Sequence, residues 1–241
     1  MSGPDAYTVK ARWLPAALVT VPIVVLMIST FELDAFIGIV GPAGVSLLFG
    51  VVAGEIARSR GKGVELSLVR DWGGLPTTRS LRATPVSDPE RRRRREQVEA
   101  VSGRRLPSLL EQESAPSESD TIIEQIVRTA LAVLRSEESS GVDVLQNENI
   151  SYGFRRNLYA LRPFGLVVAV AAFGFTFAVT VLGILAWAVA TPILLIQATV
   201  GVLWLAIARR DWVKEQAESF EDRFFIALDA AAARRTTRAG Q

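Results

Sequence analysis

The chain has 241 residues, of which 49% are hydrophobic, and a formal net charge of +2. It contains neither cysteine nor histidine, which excludes disulfides, thiolate nucleophiles, imidazole acid–base catalysis and the usual zinc sites. The apolar residues are concentrated in long blocks, so the composition favours a membrane protein over a soluble globular domain.

Four apolar blocks predict four membrane-spanning helices, because each is long enough to cross about 30 Å of hydrocarbon. They form two pairs with very short turns, which predicts two helical hairpins separated by a long polar region. The first block is predicted to remain as an anchor rather than to be cleaved as a signal peptide, since the second block follows it immediately. The blocks are residues 13–31, 35–57, 164–188 and 190–208, and Thr191 and Pro192 mark the last break.

The predicted fold class is an all-α membrane protein with two transmembrane hairpins, a helical cytosolic middle region and a C-terminal amphipathic cytosolic helix. Composition shifts along the chain define the boundaries between these parts. The predicted domains are a cytosolic N-terminus (1–12), hairpin one (13–57), the middle region (58–162) with a flexible linker near 106–119, hairpin two (163–208), and a C-terminal helix and tail (209–241).

The distribution of arginine and lysine predicts the orientation. All 27 basic residues lie before the first block, in the middle region or after the fourth block, and neither hairpin turn contains one. Short loops rich in basic residues stay on the cytoplasmic side. The expected location is therefore the cytoplasmic (inner) membrane of a bacterium, with several spans and with the N- and C-termini in the cytoplasm.

Small and polar residues within the blocks bear on helix packing and transport. Gly50 and Gly54 form a GxxxG motif, which fits either a homo-oligomer interface or packing within one four-helix unit. Packing within the unit is favoured because a single GxxxG is a weak signal. The polar residues of the fourth block are Gln197 and Thr199, and the other blocks contain few polar residues near their centres. A dedicated ion carrier is therefore not predicted. A pore built from several copies needs no such residues and is a second possibility.

The stretch DWGGLPTTR, residues 71–79, allows two interpretations. In the first, Gly73 or Gly74 supplies the left-handed residue that ends a helix and Pro76 prevents its continuation. In the second, exposed amides and guanidinium groups build an anion-binding turn. The helix stop is favoured because no GxxxxGK[ST] loop is present, and GKG at residues 61–63 also lacks the spacing of a phosphate loop. The anion alternative would use Gly73, Gly74, Thr77, Thr78, Arg79 and Arg82.

The stretch SDPERRRRREQVEAVSG predicts a helix that begins at Pro89, with Ser87 or Asp88 as its cap, and ends at Gly103. Its run of five arginines suggests nucleic acid, but acidic partners four residues away are expected to neutralise several of the charges. No aromatic residues are interleaved for base stacking, so headgroup contact or solvation is favoured over nucleic acid. The predicted pairs are Glu90 with Arg94, Arg92 with Glu96, and Arg95 with Glu99.

Two further segments predict amphipathic helices. Thr121 and Glu124 form a predicted capping box before IIEQIVRTALAVLRSE, whose apolar face needs another helix, a sister subunit or the headgroup layer. The apolar seam of the last segment either joins subunits or folds back onto the middle region. The apolar face of the first segment consists of Ile122, Ile123, Ile126, Ala130 and Leu134. The seam of the last segment consists of Val213, Ala217, Phe220, Phe224 and Leu228.

The stretch NENISYGFRRNLYALRPFG, residues 147–165, interleaves aromatic and basic residues, which is typical of an interfacial anchor. Together with WGGLPTTR it resembles a family of uncharacterised bacterial four-helix integral membrane proteins that have WGGxPTT-like and NxxYGFRRNLY-like cytosolic motifs. The resemblance implies no particular activity. It implies that one cytosolic feature contains Trp72, Gly73, Gly74, Pro76, Thr77, Thr78, Asn149, Tyr152, Gly153, Arg155, Arg156 and Asn157. With Arg79 from the anion alternative, these residues are the candidate interaction or anion site.

Three classes of function compete. A non-enzymatic effector, whose cytosolic cap senses a signal and whose membrane bundle oligomerises or opens, explains the layout best. A passive scaffold that recruits a cytosolic partner is the alternative. An enzyme is not predicted, because Glu55, Asp71 and Asp88 form no catalytic or metal-binding spacing. The expected partners are the lipid bilayer, further copies of the chain and a cytosolic protein or small anionic ligand; no cofactor or metal is expected.

Overall fold

In the computed structural model, the described residues are 7–30, 54–86, 88–136 and 142–239, and within them every regular element is a helix. This confirms the all-α class. A helix satisfies its own backbone donors and acceptors, as a chain in hydrocarbon requires. In chain order the elements are a π-helix (Thr8–Trp13), α1 (Leu14–Thr30), α2 (Gly54–Asp71), α3 (Pro76–Leu81), α4 (Pro89–Ser102), α5 (Leu109–Ser114), α6 (Pro116–Ser136), α7 (Val142–Val181), α8 (Trp187–Ala206) and α9 (Arg210–Ala239).

Among the described residues, three helical segments are long and apolar enough to cross a membrane: Thr8–Met27, Asp143–Val181 and Trp187–Ala206. They contain most of the first, third and fourth predicted blocks. The second block lies outside the described residues up to residue 53, and so does Gly50 of the GxxxG pair. Gly54 begins α2, and a Cβ atom there would lie 2.8 Å from Cδ1 of Trp13.

The break before α8 differs from the predicted one. It lies at residues 182–186, before Thr191 and Pro192, and both of those residues are inside α8. Gly183, with φ of 74°, ends α7 because glycine takes the left-handed conformation without steric cost. A proline inside a spanning helix is tolerated, so Pro192 marks the end of a helix less reliably than Gly183 does.

The segment predicted as a flexible linker, residues 106–119, is largely helical. The Ser108 side chain accepts a hydrogen bond from the Glu111 amide, and Glu111 Oε2 accepts one from the Ser108 amide at 2.6 Å. This capping box begins α5, whereas the predicted box at Thr121 and Glu124 lies inside α6. The serines and prolines of this segment therefore lie where helices begin. A linker has a similar composition, so composition alone does not distinguish the two.

The chain divides into two compact units. The spanning unit contains residues 1–66 and 150–213, and the polar unit contains residues 67–149 and 214–241. Three helices, α2, α7 and α9, each supply residues to both units. The polar unit is therefore shorter at both ends than the predicted middle region, residues 58–162, and it includes most of the C-terminal segment.

Small residues allow the helices of the spanning unit to pack closely. A Cβ atom on Gly165 of α7 would lie 2.2 Å from Cε2 of Trp204 in α8, so the indole occupies the space that a side chain would need. Close backbone approach of this kind drives helix association in lipid. The buried apolar cluster around this contact consists of Ala16, Ala57, Leu158, Leu161, Trp204 and Ala208.

Gln197 is a buried polar side chain of the spanning unit. Its Nε2 donates to Thr176 Oγ1 at 3.1 Å and to the Pro22 carbonyl at 3.4 Å, so it links α8 to α7 and α1. Interhelical hydrogen bonds of this kind stabilise membrane bundles by roughly 0.6 kcal/mol on average. The amide therefore adds specificity to a bundle that packs mainly through apolar contacts.

The C-terminal helix α9 shares the core of the polar unit with α4 and α6. Its apolar seam thus folds back onto the middle region, which was one of the two predicted alternatives. Most of the predicted face of α6 is buried in the same core, although Ile122 is exposed. The buried core residues are Leu81, Val98, Val101, Leu106, Ile123, Ile126, Val127, Ala130, Leu134, Leu145, Phe224, Phe225, Ala227, Leu228 and Ala231.

Replacing Phe224 by alanine is expected to destabilise the polar unit by about 3–5 kcal/mol, because the fully buried ring would leave a cavity. Ile226 on the same helix is 56% exposed, and Ile226→Ala is expected to change stability by about 0.5 kcal/mol or less. Hydrogen exchange of the α6 amides in the detergent-solubilised full chain measures the difference. Equal acceleration by the two substitutions would contradict this description of the core.

Candidate functional site

A polar network joins α2 to α7 within the spanning unit. Glu65 of α2 accepts hydrogen bonds from Arg156 Nη1 at 2.6 Å and from the Tyr152 hydroxyl at 3.0 Å. The side chain of Arg156 is 12% exposed and that of Glu65 is 28% exposed, so the ion pair is largely removed from water. The Tyr152 ring also lies 5.7 Å from the guanidinium carbon. We call Glu65, Tyr152, Arg156 and Asn157 the clamp.

Asn157 extends the clamp to the N-terminal π-helix. Its side chain is 1% exposed, and its Nδ2 donates to the Ala11 carbonyl at 2.7 Å. A π-helix is rare and often occurs at functional sites, because its wider winding shifts the register of the residues around it. A buried hydrogen bond on such a turn holds one register, because breaking it would leave polar groups without water.

Two glycines allow the helices to approach the clamp. A Cβ atom on Gly61 would lie 1.9 Å from Asn157 Oδ1, and one on Gly153 would lie 2.9 Å from the Tyr7 hydroxyl oxygen. Gly63, one residue beyond Lys62, has no such neighbour within 4 Å. The GKG stretch is therefore a close-packing site inside α2.

The chemistry of the clamp favours holding two helices together. Each carboxylate oxygen of Glu65 accepts from a different donor, one charged and one neutral. Removing one partner of a buried pair costs about 3–5 kcal/mol because the other charge stays desolvated, and partial exposure reduces this cost. Loss of the pair would therefore weaken the contact of α2 with α7.

The WGG turn ends α2 in the polar unit. Gly73 and Gly74 have φ of 72° and 117°. Their amides donate to the carbonyls of Arg70 at 3.0 Å and Val69 at 2.8 Å, which is the hydrogen-bond pattern of a Schellman helix end. The helix-stop interpretation therefore describes the turn, with one difference, since Pro76 begins α3.

Three of the groups that an anion would need at this turn, the amides of Gly73 and Gly74 and the Arg82 side chain, are engaged within the protein. Arg82 forms a bidentate pair with Asp120, at 2.8 Å from Nε and 2.6 Å from Nη2, and this hydrogen bonding raises the pKa of Arg82 above its ordinary value. Thr77 and Thr78 are buried, whereas Arg79 is exposed. These contacts favour a structural role for the turn, and the anion site stays a prediction.

The two motifs of the family resemblance lie in different units. Residues 72–79 and Asn149 belong to the polar unit, and residues 152–157 belong to the spanning unit. In the second motif, Arg155 Nη1 donates to the Trp212 carbonyl at 3.0 Å, and its guanidinium lies 4.6 Å from the centroid of that indole. Contacts within one unit therefore explain the positions of Arg155 and Arg156.

The arginine run of α4 binds other parts of the polar unit. The helix begins with Asp88 as its cap and ends at Gly103, as predicted. The expected pair of Arg94 with Glu90 is present at 2.6 Å, and Arg94 also lies 3.2 Å from Glu221 of α9. Further contacts are Arg91 with the Arg79 and Arg82 carbonyls, Arg93 with Asp229, and Arg95 with the Leu81 and Pro107 carbonyls.

Sequence reasoning missed Glu65, Gly61 and the Ala11 carbonyl. Glu65 belongs to no motif that would distinguish it from Glu55 and Asp71, the other acids of α2. A glycine inside a helix is a usable signal, because glycine costs about 1 kcal/mol relative to alanine and needs a packing reason. No sequence signal identifies a backbone carbonyl as an acceptor.

No protein-family model matches the chain, and no curated protein or solved structure is significantly similar to it. The clamp contacts and the composition of the helices are therefore the basis for assigning a function.

Gly61→Ala is expected to displace Asn157 and weaken the contact of α2 with α7, because the added methyl group would lie 1.9 Å from the amide oxygen. An overpacked site typically loses about 1–3 kcal/mol. Gly63→Ala is the matched control, since an alanine in an open helical position is expected to stabilise the helix by up to about 1 kcal/mol. Thermal unfolding of both variants in detergent checks the opposite signs, and a common sign would contradict the geometry of the clamp.

Proposed function

We propose that this chain is a non-enzymatic effector of the cytoplasmic membrane. The spanning unit forms two helical hairpins with four spans, and the polar unit and both termini lie in the cytoplasm. A signal received by the polar unit reaches the spanning unit, which responds by oligomerising or opening. This is a membrane-perturbing, defence-like mode of action.

The observation that carries the proposal is the position of the clamp along the chain. Glu65 is the second-last spanning-unit residue of α2, and Tyr152 is among the first spanning-unit residues of α7. Both helices continue into the polar unit without a break in the backbone hydrogen bonding. A change in the polar unit thus has a covalent route to a contact that holds two helices of the spanning unit together.

The distribution of charge supports the membrane location and the orientation. Residues 163–208 contain no aspartate, glutamate, lysine or arginine. The flanking arginines lie at the two ends of this segment, Arg162 before it and Arg209 after it. A hairpin of this kind leaves its basic ends on the cytoplasmic side.

The passive scaffold, which recruits a cytosolic partner, is the second candidate. The arginine run and the apolar seam of α9 are used internally, so the polar unit offers a folded surface for a cytosolic partner. The two functions differ in one respect. An effector changes the permeability of the membrane, whereas a scaffold does not.

The topology predicts that a tag inserted at residue 110 is inaccessible to a membrane-impermeant label in intact cells and is labelled after permeabilisation. Leu110 is exposed on α5 and is not a residue of the buried core. A cytosolic protein with a tag serves as the permeabilisation control. Labelling in intact cells, or recovery of the chain in the supernatant without detergent, would contradict the orientation.

The effector function predicts that Glu65→Gln lowers the membrane potential without any stimulus, since the clamp would be weakened and the resting arrangement of the helices lost. A potential-sensitive dye and growth after induced expression measure the effect. Arg128→Gln is the matched control, because Arg128 is 76% exposed and its pair with Glu124 contributes little. An unchanged potential in all variants at equal membrane abundance would favour the scaffold.

A further inference from the structure

Arginines from three segments of the spanning unit closely follow residues of its buried apolar cluster. The buried cluster brings together Ala57 of α2, Leu161 of α7 and Ala208 after α8. Each of these residues is followed within three positions by arginine. Arg58 pairs with Glu55, and the other arginines concerned are Arg60, Arg162, Arg209 and Arg210, which we call the collar.

Two collar arginines are placed beside aromatic rings. The guanidinium carbon of Arg60 lies 4.8 Å from the Phe164 ring centroid, and Arg210 Nε lies 3.1 Å from the Tyr159 hydroxyl, to which it donates. Arg60 and Arg210 are exposed, and Phe164 is exposed at the start of the uncharged segment. Basic and aromatic side chains at the end of an apolar helix sit at the depth of lipid headgroups.

The described part of the spanning unit has a strong excess of positive charge. Its acids are Glu55, Glu65 and Asp211; Glu65 is held in the clamp, and Glu55 lies 3.5 Å from Arg58. Asp211 directly follows Arg210 in the chain, but these three acids are outnumbered by ten basic residues. The basic residues of the same part are Lys10, Arg12, Arg58, Arg60, Lys62, Arg155, Arg156, Arg162, Arg209 and Arg210.

We propose that the collar binds the phosphate groups of anionic phospholipids and selects them over zwitterionic lipids. Guanidinium groups bind phosphate through two parallel hydrogen bonds. In a zwitterionic lipid, the positive charge of the headgroup offsets the attraction between the phosphate and a guanidinium group, whereas an anionic headgroup carries no such charge. Basic residues near an anionic leaflet each contribute about 1 kcal/mol. The inference rests on the membrane insertion proposed above, and it adds a lipid class to that proposal.

The test uses the full chain in vesicles that contain phosphatidylcholine and phosphatidylglycerol. Brominated lipids of either class quench tryptophan fluorescence on contact, and the reporter is Trp212, which is partly exposed and lies two residues after Arg210. The ratio of the two quenching curves gives the preference for the anionic lipid. The wild type is expected to prefer phosphatidylglycerol, by on the order of fivefold for each engaged arginine at low salt.

The triple variant Arg60→Gln, Arg209→Gln, Arg210→Gln is expected to lose this preference, and the corresponding lysine variant is expected to keep part of it, because lysine retains the charge but not the bidentate geometry. The matched control, Arg128→Gln, Arg135→Gln, Arg223→Gln, removes the same charge from the polar unit and is expected to retain the preference. Equal loss in the collar and control variants would overturn the inference, as would equal loss in the lysine and glutamine variants.

Two further measurements separate the possible failures. Inorganic phosphate, compared with chloride at equal ionic strength, is expected to leave the preference unchanged; competition by millimolar phosphate would make the collar a site for soluble anions and overturn the lipid assignment. Extraction by alkaline carbonate would overturn membrane insertion itself. Retention in the membrane without any preference for phosphatidylglycerol would overturn the collar alone.

Discussion

A guanidinium group withdrawn from water needs an anion within reach, and Arg156 finds it in Glu65. The contact places one residue of α2 against one residue of α7, and so fixes how these helices meet. Asn157 then forms a hydrogen bond with Ala11, and Gly61 provides the space for its amide. A side chain at Gly61 or an amide in place of the carboxylate would thus affect the whole network.

The apolar helices of the spanning unit are held together by other interactions than the charged pair. Lipid tails are as apolar as leucine, so burial alone does not bring helices together there. The unit uses shape at Gly165, which accommodates the Trp204 indole, and a hydrogen bond from Gln197 to Thr176. Packing and polar contacts thus hold the apolar helices, whereas a charged pair holds their polar ends. The charged pair is the more readily altered by a change in its surroundings.

Local signals in the sequence were sufficient for much of the fold. Length and apolarity predicted the helices that can span a membrane, and Asp88, Pro89 and Gly103 predicted the ends of α4, because these signals depend on a few neighbouring residues. The linker at residues 106–119 was wrong because serine and proline are common both in linkers and at helix starts. Of the clamp, sequence reasoning named Tyr152, Arg156 and Asn157 but not Glu65, because the pairing of Glu65 with Arg156 joins residues far apart in the chain that only the folded backbone brings together.

The core of the polar unit is built from two parts of the chain that are synthesised at different times. Its first part, which includes Ile126, is translated before α7 and α8, and its last part, which includes Phe224, emerges from the ribosome after them. The core therefore stays incomplete while the later apolar helices are being inserted, and the exposed face of α6 must be kept from aggregating during that time. The synthesis of α9 is then the step that supplies the missing part of this core.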